Sequence, residues 1–140
     1  MIIKVVIPWG VPSKKNSYEI RFHPTFWQQV AHIANRLKGH VKRIYWIGPS
    51  KEVVKFEKNA SWCFKDYSCR PLADPEKRWE VRANIFLTND GKDTDNCLGC
   101  IGDAMQQGIH GFNDRRIKRW IVEKFVDGRE RVELEIREID

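Results

Sequence analysis

Apolar and polar positions alternate most cleanly over residues 79–88. Trp79, Val81, Ala83, Ile85 and Leu87 fall on one side, and Glu80, Arg82, Asn84, Phe86 and Thr88 on the other. A period of two marks a half-buried strand. Shorter β-branched runs predict strands at Ile2–Ile7, Tyr18–Phe22 and 43–47. A different period appears over residues 26–37, where apolar residues stand at 26, 27, 30, 33, 34 and 37. That spacing predicts a helix between a Thr25 cap and Gly39. Ser50 is placed to cap a second helix carrying Val53, Val54, Phe56 and Ala60, whose end before Cys69 is left open. Residues 70–77 hold two prolines and read as a loop, and Asn89-Asp90-Gly91 as a turn. Leu98, Ile101, Ala104 and Met105 predict an amphipathic helix over 95–107, stopped by Gly108. Residues 117–126 and 131–139 read as strands joined in a hairpin through Asp127-Gly128. The expected fold is α+β: one domain over residues 1–140, a mixed sheet packed against helices.

Length and composition agree. The chain has 140 residues, 41% of them hydrophobic and 31% charged, which is globular rather than disordered. No apolar run reaches the ~18 residues of a membrane span, and the first seven residues are too short for a signal peptide. A cytoplasmic protein with no membrane partner is therefore expected. Four cysteines are too few for a stapled secreted scaffold.

Charge changes the picture more. Residues 1–70 carry 13 Lys+Arg against 4 Asp+Glu, and residues 71–140 carry 12 against 15. The basic half suits a polyanion, most simply nucleic acid, although a merely solvated surface fits the count equally well. In the other half Asp90, Asp93, Asp95, Asp103 and Asp114 fall within 25 residues. Asp93 and Asp95 share one side of an extended segment. Asp103 lies about two helical turns beyond Asp95, and Asp114 immediately precedes a strand. Carboxylates converging from these places make a hard oxygen site suited to Mg²⁺. For Asp95 taken alone, capping a helix is the simpler explanation, and Asp103 fits a buried hydrogen-bonding role or a surface one.

These aspartates stand in recognisable strings. Lys92-Asp93-Thr94-Asp95-Asn96-Cys97-Leu98, then Asp103-Ala104-Met105, then Asn113-Asp114-Arg115-Arg116-Ile117 together resemble the RusA family of Holliday junction resolvases. Ile7-Pro8-Trp9 and Pro12-Ser13-Lys14-Lys15-Asn16-Ser17 are similar to that family's first strand and loop, and Lys124 stands ten residues after Asp114. The resemblance covers about half the chain, in the family's order. It implies that Asp93, Asp95 and Asp114 are catalytic carboxylates binding Mg²⁺, with Mn²⁺ as a substitute, and that Asp103 and Asn96 support them. It implies a homodimer cutting four-way junctions or other branched DNA at symmetric phosphodiesters. Lys92 and Lys124 match its basic positions, and Lys14, Lys15, Arg115, Arg116, Lys118 and Arg119 are expected on flanking phosphates. The chain departs from the pattern at Gly99, where the family often has lysine, and at Cys97, Asn113 and Arg116.

Two rival readings follow from other residues. Gly99 fits a branched-DNA-binding protein of the same fold without catalysis. Cys97-x-x-Cys100, completed by Cys63 and Cys69 or His110, fits a zinc-stabilised interaction domain, though cysteines on the apolar side of a helix are more often core thiols. Histidines 23, 32, 40 and 110 have no nearby nucleophile, which disfavours a triad. Trp9 and Trp27, near basic loops, are placed to stack on unpaired bases.

Overall fold

A computed structural model describes residues 1–12, 18–22, 45–67, 70–92 and 94–140. Four strands form a mixed sheet in the order β1-β6-β4-β5: β1 is Ile2–Ile7, β4 Arg78–Leu87, β5 Ile117–Val126 and β6 Arg131–Ile139. β1 runs antiparallel to β6, β6 antiparallel to β4, and β4 parallel to β5. β2 (Tyr18–Phe22) and β3 (Tyr45–Pro49) form a separate antiparallel pair. The expected helix at 26–37 lies outside the described residues, as does Trp27.

The alternation predicted for β4 is what the sheet uses. Trp79, Val81, Ala83 and Ile85 are fully buried, and Leu87 nearly so. They meet Ile3, Val5 and Ile7 of β1 and Val132, Leu134 and Ile136 of β6 in one core. Each large side chain so buried contributes roughly 1.5–3 kcal/mol.

Helix α1 spans Lys51–Phe64, and Ser50 Oγ caps it by accepting from the Val53 N–H at 3.3 Å. It sends Val53, Phe56, Ala60 and Phe64 into the core. Its end, open in the sequence, comes at Phe64, where a 3₁₀ turn follows over Lys65–Tyr67. Residues 70–77 are not all loop. Arg70–Ala73 forms one helical turn, α2, because proline is tolerated in a first turn and Leu72 there is fully buried.

Helix α3 spans Thr94–Gly108 and buries Cys97, Cys100, Ile101, Ala104 and Met105. The cysteines of the Cys-x-x-Cys string are thus core thiols, with Cys100 Sγ donating to the Pro12 carbonyl at 3.6 Å. Burial also pushes the half-buried Cys63 thiol upward from its ordinary pKa. α1 and α3 pack closely at Gly108, where an added Cβ would overlap the Ser61 carbonyl and lie 2.8 Å from Phe64 Cβ.

The predicted hairpin does not form. β5 and β6 flank β4 on opposite sides instead of pairing. α3 carries the chain from β4 back to a parallel β5, and the loop at 127–130 then passes over the end of β4. There the Asp127 N–H donates to the Leu87 carbonyl at 2.9 Å, Phe86 stacks on Phe125 at 4.9 Å, and Arg131 lies 3.5 Å over the Phe86 ring. A short turn sequence states only that two strands are close in the chain. Burial decides which strands pair. β6 places Val132, Leu134 and Ile136 in the core and takes an interior position, while β5, with Lys118, Arg119, Glu123 and Lys124 exposed, suits an edge. No helix among the described residues is long and apolar enough to cross a membrane.

Candidate active site

The end of β4 feeds the turn that leads to Asp93. Asn89 Oδ1 accepts from the Gly91 N–H at 3.0 Å, closing an Asx turn. Two lysines then hold the segment. Lys92 Nζ donates to the Val11 carbonyl at 3.2 Å and lies 3.7 Å from Glu130. Lys124, reaching over from β5, donates to the Lys92 carbonyl at 3.4 Å and pairs with Asp90. Lys92, expected on DNA, is therefore turned toward protein, and Lys124 grips the same turn. Asp93 lies outside the described residues, as do Lys14 and Lys15. Asp95 and Asn96 fall in the first turn of α3, which starts at Thr94.

Asp114 arrives from the other side. Asn113 caps a 3₁₀ turn over Asp114–Arg116, its Oδ1 accepting from the Arg115 N–H at 3.0 Å. The loop before it turns at Gly111, whose φ of 77° is strained for any residue with a Cβ. Arg116 fixes that loop from within. Its side chain is buried, donates to the Gly111 carbonyl at 2.6 Å and to the Asp74 carbonyl, and stacks over Phe112 at 5.4 Å. Its guanidinium is thus occupied by protein, against its expected place on phosphate. The buried alternative has a plain cause: a guanidinium needs several acceptors once out of water, and the loop carbonyls supply them.

This fixation brings Asp114 against α3. A Cβ built on Gly102 would lie 3.7 Å from Asp114 Cβ and 3.9 Å from its Oδ2. Gly102 is seven residues after Asp95, two turns along the same face and about 10 Å along the axis. Gly99 lies between them on that face and is exposed. Asp114 therefore covers Gly102 on the helix face that begins at Asp95, with exposed Gly99 between them. Asp114 is itself exposed. Among the described residues, no hydrogen bond or ion pair engages its carboxylate.

Asp103 faces elsewhere. It lines a pocket of about 250 Å³ between the helices with Glu57, Gln106 and Gln107. Arg115, Lys118 and Arg119 are exposed beside Asp114, and Arg119 also pairs with Glu80 at 2.7 Å. His110 is exposed. No group of three or more His, Cys, Asp or Glu that would hold a metal is assembled among the described residues, a set that excludes Asp93. Sequence reasoning missed Glu130, the partner of Lys92, and the internal role of Arg116. Glu130 is 38 residues from Lys92, and one of the two carbonyls that hold Arg116 is 42 residues away, so local pattern does not reveal them.

A family described as Endodeoxyribonuclease RusA matches residues 11–137 of the chain. No curated protein matches it.

Proposed function

The chain belongs to the RusA endodeoxyribonuclease family, and from that premise we propose that it is a Mg²⁺-dependent nuclease of branched DNA. Its substrate is the four-way junction, cut symmetrically. Residues 1–140 act as one domain, in the cytoplasm, and as a homodimer, because two symmetric cuts call for two sites related by a two-fold axis.

The observation that carries this reading is the packing of Asp114 against Gly102. It sets a carboxylate from the start of β5 on the α3 face that begins with Asp95. Asp93, Asp95 and Asp114 would hold the ion; hard carboxylate oxygens, one exposed and unengaged, fit Mg²⁺. When bound, Mg²⁺ supplies positive charge that polarises a phosphoryl oxygen and acidifies an attacking water. The chain's own residues position the substrate. Gly102, buried beneath Asp114, lets that carboxylate come close to α3. Arg115, Lys118 and Arg119 contact flanking phosphates, as do Lys14 and Lys15. Lys92 and Lys124 act by clamping the turn that presents Asp93, and Asn96 and Asp103 support α3.

The test is cleavage of a synthetic four-way junction and of matched linear duplex, with Mg²⁺, Mn²⁺ or EDTA. Paired symmetric nicks confined to the junction and lost in EDTA are expected. Junction binding without cutting under every metal would favour a non-catalytic protein of the same fold.

A further inference from the structure

The outer face of α1 has no part in the site just described, yet its pattern is not that of an ordinary solvated helix. Lys51, Lys55, Lys58, Trp62 and Lys65 follow one another at intervals of four, three, four and three residues. That spacing places them in a single stripe. It lies opposite the buried Val53, Phe56, Ala60 and Phe64, and all five residues are exposed. The exposed acids Glu52 and Asp66 adjoin the stripe at its two ends, and none of the ion pairs among the described residues involves its lysines. Trp62 stays 61% exposed even with Lys65 Nζ 3.1 Å over its ring. Val54, beside it, is 40% exposed. A large apolar ring among unpaired cations is a poor surface for water alone and a good one for a polyanion with stackable faces.

The ridge also points the right way. Glu57 lines a pocket with Asp103, and Ser61 and Phe64 meet Gly108. α1 and α3 therefore run in the same direction, and the Lys51 end of the ridge lies at the end of the molecule where Asp95 starts α3. From Lys51 to Lys65 the ridge extends about 21 Å at 1.5 Å per residue. One DNA strand presents about six phosphates over that distance along the duplex axis.

We propose that the outer face of α1 is a second DNA-binding surface, on which Lys51, Lys55, Lys58 and Lys65 follow the phosphates of one duplex arm leading away from the cut site, with Trp62 packed against a backbone sugar of that arm. This rests on the nuclease reading above. The occupant is nucleic acid because four exposed lysines in one row make no ion pair among the described residues and Trp62 provides an exposed aromatic face.

The test compares the full-length protein with a Lys51→Gln/Lys55→Gln/Lys58→Gln variant on a four-way junction, in EDTA, at several salt concentrations. A second variant, Lys4→Gln/Arg129→Gln/Arg137→Gln, removes the same charge elsewhere. The ridge variant is expected to bind at least about tenfold more weakly at moderate salt. Its slope of log affinity against log salt should shrink by about 2–3, near 0.9 per lost phosphate contact, while the second variant changes much less. Trp62→Ala should lose most of the tryptophan quenching seen on DNA binding. Equal slopes for wild type and ridge variant, or equal losses in both triple variants, would overturn the ridge while leaving a cutting wild-type enzyme intact. A wild type that neither binds nor cuts junctions would instead overturn the nuclease reading, and the ridge with it. Matching urea unfolding curves exclude misfolding as the cause.

Discussion

α1 and α3 lie side by side on one face of the sheet and bury comparable apolar stripes, but they show solvent opposite surfaces. α1 presents long cations at regular spacing. α3 presents the exposed Gly99 and, beyond it, Gly102 covered by the incoming Asp114. A surface that grips phosphates at a distance gains from flexible, fully charged side chains. The same contrast separates adjacent residues elsewhere. Arg115 is exposed, while Arg116 is buried on two carbonyls. Asp114 has an open carboxylate, while Asp127 is held by Arg131 at 2.7 Å. Charge type does not fix the role; what the fold leaves each charge to do decides it.

The largest effects should come from the carboxylates on the α3 side. Asp93→Asn, Asp95→Asn and Asp114→Asn are each expected to slow single-turnover cleavage at least about a hundredfold, since the charge lost is worth several kcal/mol at the transition state. Junction binding in a gel-shift assay should persist, because less negative charge faces the DNA. Near wild-type cutting by any one of them removes that residue from the ion-binding set.

Next comes the Arg115 and Arg116 pair. Arg116→Met should destabilise the fold by about 2–3 kcal/mol, because it strands the Asp74 and Gly111 carbonyls without a donor. Arg115→Met should leave urea unfolding unchanged within about 0.5 kcal/mol and weaken DNA binding instead. If both act on stability alone, Arg115 is not a phosphate contact.

Gly99→Lys tests whether the exposed glycine of α3 is needed there. Lysine is a better helix former by about 0.5–1 kcal/mol, and an ammonium one turn beyond Asp95 would stabilise charge developing on the phosphate. A faster single-turnover rate, by several-fold, is expected with a slightly higher melting temperature. Slower cutting by a folded variant would show that the glycine is required for the approach of DNA or of the partner subunit.

The smallest effect concerns the paired carboxylate. The hydrogen bond from Arg131 holds the Asp127 pKa below its ordinary value. A carboxylate lowered on folding adds stability above its unfolded pKa, near ~4, and loses it as pH falls through the lower folded value. Asp127→Asn should therefore flatten the acid limb of stability below about pH 4 and change little else. An unchanged acid limb, measured by urea unfolding across that range, would mean the pair contributes nothing in solution.

Much of this molecule is determined by the sequence alone. The alternation at residues 79–88 and the 3–4 spacing of Leu98, Ile101, Ala104 and Met105 predict β4 and α3 within a residue or two, and the Ser50 cap predicts the start of α1 though not its end, because period and capping are local physics. The aspartate strings likewise name candidate ligands without a structure. Tertiary packing decided what local pattern does not encode. The residues on both sides of Asp127-Gly128 form strands, yet the burial of β6 between β1 and β4 overrides the hairpin. Arg116 reads as a DNA-facing cation beside Arg115 until two carbonyls, one of them 42 residues away, engage it. The juxtaposition of Asp114 with Gly102 likewise depends on a loop closing onto a helix. Each of these depends on partners distant in the chain, chosen by which arrangement leaves the fewest apolar surfaces wet and the fewest polar groups unsatisfied.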